Sequence, residues 1–136
     1  MIATTSAAYT VLLRSDGVVV ACGNNDWGQC NIPVLDGHLT YTQVAARNWQ
    51  TVLLRSNGTV VAFGCNEVGE CNIPDLDGDL TYTQIAAGEN LTVLIRSNGT
   101  AIACGDDGAG QCDIPALNGG LKYIQAAAGY YHTVLL

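Results

Sequence analysis

The chain has 136 residues, of which 49% are hydrophobic and 12% charged, and its formal net charge is −7 at neutral pH. That balance excludes a disordered chain, which combines low hydrophobicity with high net charge. Five Lys and Arg residues are too few to neutralise a phosphate backbone. Direct nucleic-acid binding is therefore not expected, and a basic protein surface or peptide is the easier electrostatic partner.

No run approaches the ~20 apolar residues of a membrane-spanning helix, so no membrane span is expected. The start, Met1 to Ser6, lacks the basic and apolar regions of a secretory leader. Glycine is abundant, at 16 residues, and is scattered among Val, Leu, Ile, Thr and Tyr. Such a pattern predicts many short strands joined by tight turns.

The second 41 residues give the element order most clearly. Residues 51–55 favour a strand, Asn57-Gly58 marks a hairpin turn, and residues 59–63 read as the return strand. Residues 64–69 are polar and bounded by glycine, which predicts a loop. Residues 70–73 read as a short fourth strand and 74–78 as a second loop. Residues 80–86 alternate and predict another strand. No 3.6-residue periodicity runs through these segments, so helices are expected to be scarce.

The same order recurs. Thr10-Val11-Leu12-Leu13-Arg14-Ser15 returns at Thr51 to Ser56, at Thr92 to Ser97 and in part at Thr133 to Leu136, with a spacing of 41 each time. Cys30-Asn31-Ile32-Pro33 matches Cys71 to Pro74 and Cys112 to Pro115. Gly37, Gly78 and Gly119 keep the same phase, as do Tyr41, Tyr82 and Tyr123, and Gln43, Gln84 and Gln125. Units of this size need neighbours to cover their apolar sides. That requirement accounts for Val18-Val19-Val20-Ala21 and Val60-Val61-Ala62-Phe63, which are apolar on both faces.

A Thr-Val-Leu-Leu strand, a Ser-Asp-Gly or Ser-Asn-Gly turn, a strand ending in Gly and a Gly-Gln-Cys segment together resemble the RCC1 (regulator of chromosome condensation) repeat. The clearest joint is Gln125-Ala126-Ala127-Ala128-Gly129-Tyr130-Tyr131-His132-Thr133. The resemblance covers residues 1–136, as repeats 10–50, 51–91 and 92–132 with a partial 133–136. It implies an all-β fold of β-propeller blades, four strands to a blade, about three of them here. Elsewhere the His position holds Tyr9, Gln50 and Leu91, and the Gly position holds Ser6 and Arg47. Those joints are expected to be looser or to carry specific contacts.

Three and a third units do not close a ring, and four readings stay open. The chain could be a segment of a longer propeller, pair with a second copy, pack on another protein in a larger assembly, or stack into a filament.

The six cysteines fall two to a unit: Cys22 and Cys30, Cys65 and Cys71, Cys104 and Cys112. No Cys-x-x-Cys pair occurs and the histidines are His38 and His132, so neither zinc nor any other metal or cofactor is expected. Disulfides within a unit are one reading. Free thiols packed as small apolar groups are the better one, and they favour a reducing compartment, the cytoplasm or nucleus. Asn57, Asn90 and Asn98 each begin a glycosylation sequon, although turn geometry alone explains the first and last. Asp26, Glu67, Asp106 and Asp107 in one loop, and Asp36, Asp75, Asp77 and Asp79 in another, are expected to be solvated turn residues. No Ser-His-Asp set or phosphate loop is present, and Ser15, Ser56 and Ser97 are turn residues.

Positions that break the repeat are where function is expected, because packing alone favours sameness. Trp27 has Val68 and Ala109 as counterparts. Arg47, Asn48, Trp49, Glu89, Asn90, Tyr130 and Tyr131 fill equivalent phases of one variable loop. Aromatic and Arg side chains are common interface anchors, so these eight residues form the expected partner site.

The expected function is a non-catalytic scaffold or interaction module that binds a protein partner, another copy of itself or the rest of a longer propeller. The alternatives are a guanine-nucleotide exchange factor for a small GTPase, a light-sensing propeller, and a peripheral subunit of a large complex.

Overall fold

The computed structural model describes residues 2–6 and 8–136, with the backbone alone for residues 2–6. Among them the strands are β1 (Ile2–Ser6), β2 (Tyr9–Leu13), β3 (Val19–Gly23), β4 (Tyr41–Arg47), β5 (Gln50–Arg55), β6 (Val60–Gly64), β7 (Tyr82–Gly88), β8 (Leu91–Arg96), β9 (Ala101–Gly105), β10 (Ala126–Ala128) and β11 (Thr133–Leu135). There is no helix among the described residues. The strands form three three-stranded antiparallel sheets, β1-β2-β3, β4-β5-β6 and β7-β8-β9, and a two-stranded sheet, β10-β11.

Each sheet takes its first strand from the tail of one sequence unit and the rest from the head of the next. Val52, in the middle of β5, has Ala45 of β4 on one side and Ala62 of β6 on the other. Register is offset by a bulge between Tyr41 and Gln43, and again between Tyr82 and Gln84.

The fourth strand expected at residues 70–73 does not form, so the blades have three strands. The N–H groups of residues 71–73 are satisfied inside the loop instead, and the Glu70 carbonyl accepts from Thr92 Oγ1. Asn72 N donates to the Gly69 carbonyl at 3.0 Å and Ile73 N to the Cys71 carbonyl at 2.9 Å. Cys71 N donates to Asn66 Oδ1 at 2.8 Å. A segment that closes its hydrogen bonds locally has none left for a ladder.

The sheets stack face to face in chain order. Because side chains alternate across the pleat, Val61 and Phe63 of β6 pack toward Val11, Leu13 and Val19 of the first sheet. Val60 and Ala62 of the same strand pack toward Tyr82, Ile85 and Leu94 of the third. The doubly apolar runs of the sequence thus fill two joints at once. Val11, Val52, Leu53, Val93 and Leu94 are fully buried, and each such side chain contributes about 1.5–3 kcal/mol.

Polar stitches hold the joints. The hydroxyls of Thr51, Thr92 and Thr133 donate to the carbonyls of Gln29, Glu70 and Gln111 at 2.7, 2.7 and 2.8 Å. Gln43 uses both ends of its amide on the next sheet, donating to the Thr83 carbonyl at 3.0 Å and accepting from Ile85 N at 3.2 Å. The hydroxyls of Tyr41, Tyr82 and Tyr123 donate to the carbonyls of Pro33, Pro74 and Pro115 at 2.8, 2.7 and 2.7 Å, and so tether the Ile-Pro loops.

The hairpin at residues 56–58 closes with Gly58 N donating to the Arg55 carbonyl and Arg55 N to the Thr59 carbonyl, both at 2.9 Å. Gly58 sits at φ +79 and a Cβ there would collide with Thr81. This three-residue loop ending in a left-handed glycine explains why Asn-Gly recurs at the turn.

Candidate protein-interaction surface

The variable residues sit on the tight turns between the first and second strands of successive sheets. Arg47 pairs with Gln50, leaving Asn48 and Trp49 as the turn. Gly88 pairs with Leu91, leaving Glu89 and Asn90. Asn48 and Asn90 have φ of 53 and 50. Asparagine tolerates this left-handed region better than any other non-glycine residue, along with Asp. Backbone geometry therefore explains the two asparagines, and leaves Arg47, Trp49, Glu89, Tyr130 and Tyr131 to be explained.

The structure brings these turns into one row. Asn48 Nδ2 donates to Asn90 Oδ1 at 2.9 Å. Arg47 Nε lies 3.9 Å from Glu89 Oε2. Glu89 N donates to the Gly129 carbonyl at 3.0 Å. The Tyr130 and Tyr131 rings meet edge-on, 4.4 Å between centroids, and both are exposed. The hydrogen bond with Tyr131, and then the charges of Tyr131 and Glu89, raise the Tyr130 hydroxyl above its usual pKa. The row thus runs from a guanidinium through a carboxylate to an aromatic pair. Trp49 is half-buried beside it, and its carbonyl accepts from Cys65 N at 2.9 Å.

Trp27 does not join the row. It lies on the loop after β3, 47% exposed, with its backbone N–H held by Gln29 Oε1 at 3.0 Å. No ring contact or ion pair links it to the other seven among the described residues.

The irregular joints carry specific contacts rather than loose packing. The Tyr9 hydroxyl donates to the Gln50 carbonyl, and Gln50 Nε2 donates to the Glu70 carbonyl at 2.6 Å and to Thr92 Oγ1. Leu91, at the same phase, is fully buried.

A second set of residues escaped sequence reasoning. Gln29, Glu70 and Gln111 share one phase and are buried at 0%, 1% and 4% exposure. Each caps its loop by accepting from the backbone N–H two residues back, at 3.0, 3.1 and 2.9 Å. Their recurrence every 41 residues was the available signal.

All six cysteines are free thiols. Cys30, Cys71 and Cys112 donate to the carbonyls of Asn24, Cys65 and Asp106 at 3.2, 3.0 and 3.4 Å. Burial is the main cause that pushes the Cys71 thiol up to about 12 and Cys104 and Cys112 to about 11. These groups therefore stay protonated at neutral pH, as S–H donors must. Among the described residues, no group of three or more His, Cys, Asp or Glu side chains is placed to hold a metal ion.

The stacked sheets define an RCC1-like β-propeller segment. Human WBSCR16 superposes with a TM-score of 0.77 at 19% identity, over 93% of this chain and 43% of that one. Yeast RCC1 (Prp20), solved bound to Kap60, gives 0.78 at 19% over 99% and 41%. A second Saccharomyces cerevisiae Prp20p structure gives 0.77 at 17% over 98% and 42%. The chain therefore spans about two fifths of the length of the structures it resembles. No family model and no curated protein matches it.

Proposed function

We propose that this chain is a non-catalytic protein-interaction module whose partner surface is the turn row of Arg47, Asn48, Trp49, Glu89, Asn90, Tyr130 and Tyr131, with Trp27 as a separate contact. The observation that carries this reading is the connected row itself. Three turns that vary in sequence are bonded to each other, while the strands beneath them repeat. Exposed Tyr and Arg side chains on such a rigid platform bind protein with little loss of side-chain freedom.

The net charge of −7 favours a basic partner. The Prp20p structure is described together with binding to Gsp1p and histones. Core histones are therefore a suitable basic probe. Trp49→Ala combined with Tyr131→Ala leaves the net charge unchanged and is expected to weaken histone binding at least tenfold while the fold persists. Binding unaffected by that pair rejects the row as the partner surface. The exchange-factor alternative predicts faster nucleotide release from a small GTPase.

A further inference from the structure

We infer that Asn118 is a modification site: it deamidates spontaneously through a ring closed with Gly119, while the other Asn-Gly pairs of the folded chain are protected. There are three such pairs, at residues 57–58, 98–99 and 118–119. The reaction needs water and no enzyme. The glycine nitrogen loses its proton to solvent base and attacks Cγ of the asparagine. The new N–Cγ bond forms, the Cγ–Nδ2 bond breaks, and Nδ2 leaves as ammonia with a proton taken from water. Water then opens the cyclic imide. Cleavage of its N–Cγ bond gives aspartate. Cleavage of the bond from nitrogen to the main-chain carbonyl gives isoaspartate, whose backbone runs through Cγ. Two groups must therefore be free to move, the glycine N–H and the asparagine amide.

Both are held at the two hairpin turns. Gly58 N donates to the Arg55 carbonyl at 2.9 Å and Gly99 N to the Arg96 carbonyl at 2.8 Å. Asn57 Oδ1 accepts from Thr59 N at 3.1 Å and from Thr59 Oγ1 at 2.7 Å. Asn98 Oδ1 accepts from Thr100 N and Oγ1 at the same two distances. Each turn has to open before its nitrogen can reach Cγ, and an opening that breaks these bonds together is rare.

Asn118 and Gly119 lie instead in the loop after Ile114-Pro115. Among the described residues, neither the Gly119 N–H nor the Asn118 side chain has a hydrogen-bond partner. Gly119 and Gly120 have φ of +68 and +78, with nothing within 4 Å of a Cβ added to either. Two successive glycines leave the backbone free to turn as ring closure demands. Exposure here belongs to the loop itself. Asp36 and Asp77 hold the same phase, each with a further unit after it, and both are exposed as Asn118 is. They also show that the aspartate product fits, because the first two units already carry it. Either product adds one negative charge to a chain of net −7.

The test incubates the full chain at neutral and mildly alkaline pH in water enriched in heavy oxygen, folded and in denaturant, and maps its peptides by mass over time. In the folded chain Asn118 is expected to lose its nitrogen and gain the heavy oxygen, faster at the higher pH. It should convert at least about tenfold faster than Asn57 or Asn98, whose turns must open first. In denaturant the three are expected to react at similar rates, because the turns are gone. Ammonia release from the folded chain should vanish in Asn118→Asp. A folded chain that keeps Asn118 intact, or that converts Asn57 or Asn98 as fast, overturns the assignment. A ranking that persists unchanged in denaturant overturns it too.

Discussion

Asn48 and Asn90 join their side-chain amides at 2.9 Å across the gap between two sheets, although both are also the left-handed residues of their own turns. One residue type therefore does two jobs, shaping the turn and linking it to its neighbour. Asn48→Ala removes both and is expected to destabilise the chain by about 1–2 kcal/mol, the cost of a left-handed alanine with a lost hydrogen bond. Asn48→Gly restores the backbone freedom alone and should recover roughly half of that loss. Urea denaturation of the two variants separates the terms, and equal losses would contradict the division.

The loop pair Asn24 and Gln29, bonded at 2.9 Å, corresponds to Cys65 and Glu70 in the next unit. There Glu70 Oε1 is buried without a hydrogen-bond partner. Glu70→Gln together with Cys65→Asn rebuilds the first-unit pair. The double variant is expected to be more stable than the sum of the singles by about 0.5–3 kcal/mol, the range for side chains in direct contact. A double-mutant cycle with no coupling would show that the two loops are not interchangeable.

Tyr82 is buried and its hydroxyl holds the Pro74 carbonyl, whereas Tyr123 makes the same bond from a half-buried position. Tyr82→Phe is expected to cost about 1 kcal/mol, and Tyr123→Phe less, because water can replace the donor there. Thermal unfolding of the two variants should rank them in that order.

Alkaline stability follows from the thiols. Burial raises Cys71, Cys104 and Cys112 from 9.0 to about 12, 11 and 11 in the folded chain. The folded state then holds protons that the unfolded state gives up, so stability is intact below pH 9 and falls as pH rises toward 11–12. Replacing Cys71 by Ala should flatten that fall, since Ala has no proton to lose. Denaturant midpoints measured from pH 7 to 11 test it, and an identical slope in wild type and variant would count against the thiol as the source.

The all-β character, the unit of 41 residues, the hairpin turns and the two-faced apolar strands were legible in the residue order alone. All of these follow from local backbone preference and from a pleat that alternates every residue. The variable turns were also legible, because they broke the repeat, as Trp27 did. Folding of the whole chain settled that residues 70–73 close on themselves instead of adding a fourth strand, since Asn66 and Gly69 take their N–H groups while Thr92, from the next unit, takes the Glu70 carbonyl. It likewise decided that Arg47, Asn48, Glu89 and Asn90 meet while Trp27 stays apart. Those contacts join residues about 42 apart, and their distance is set by how sheets stack, a long-range packing outcome that no local pattern encodes.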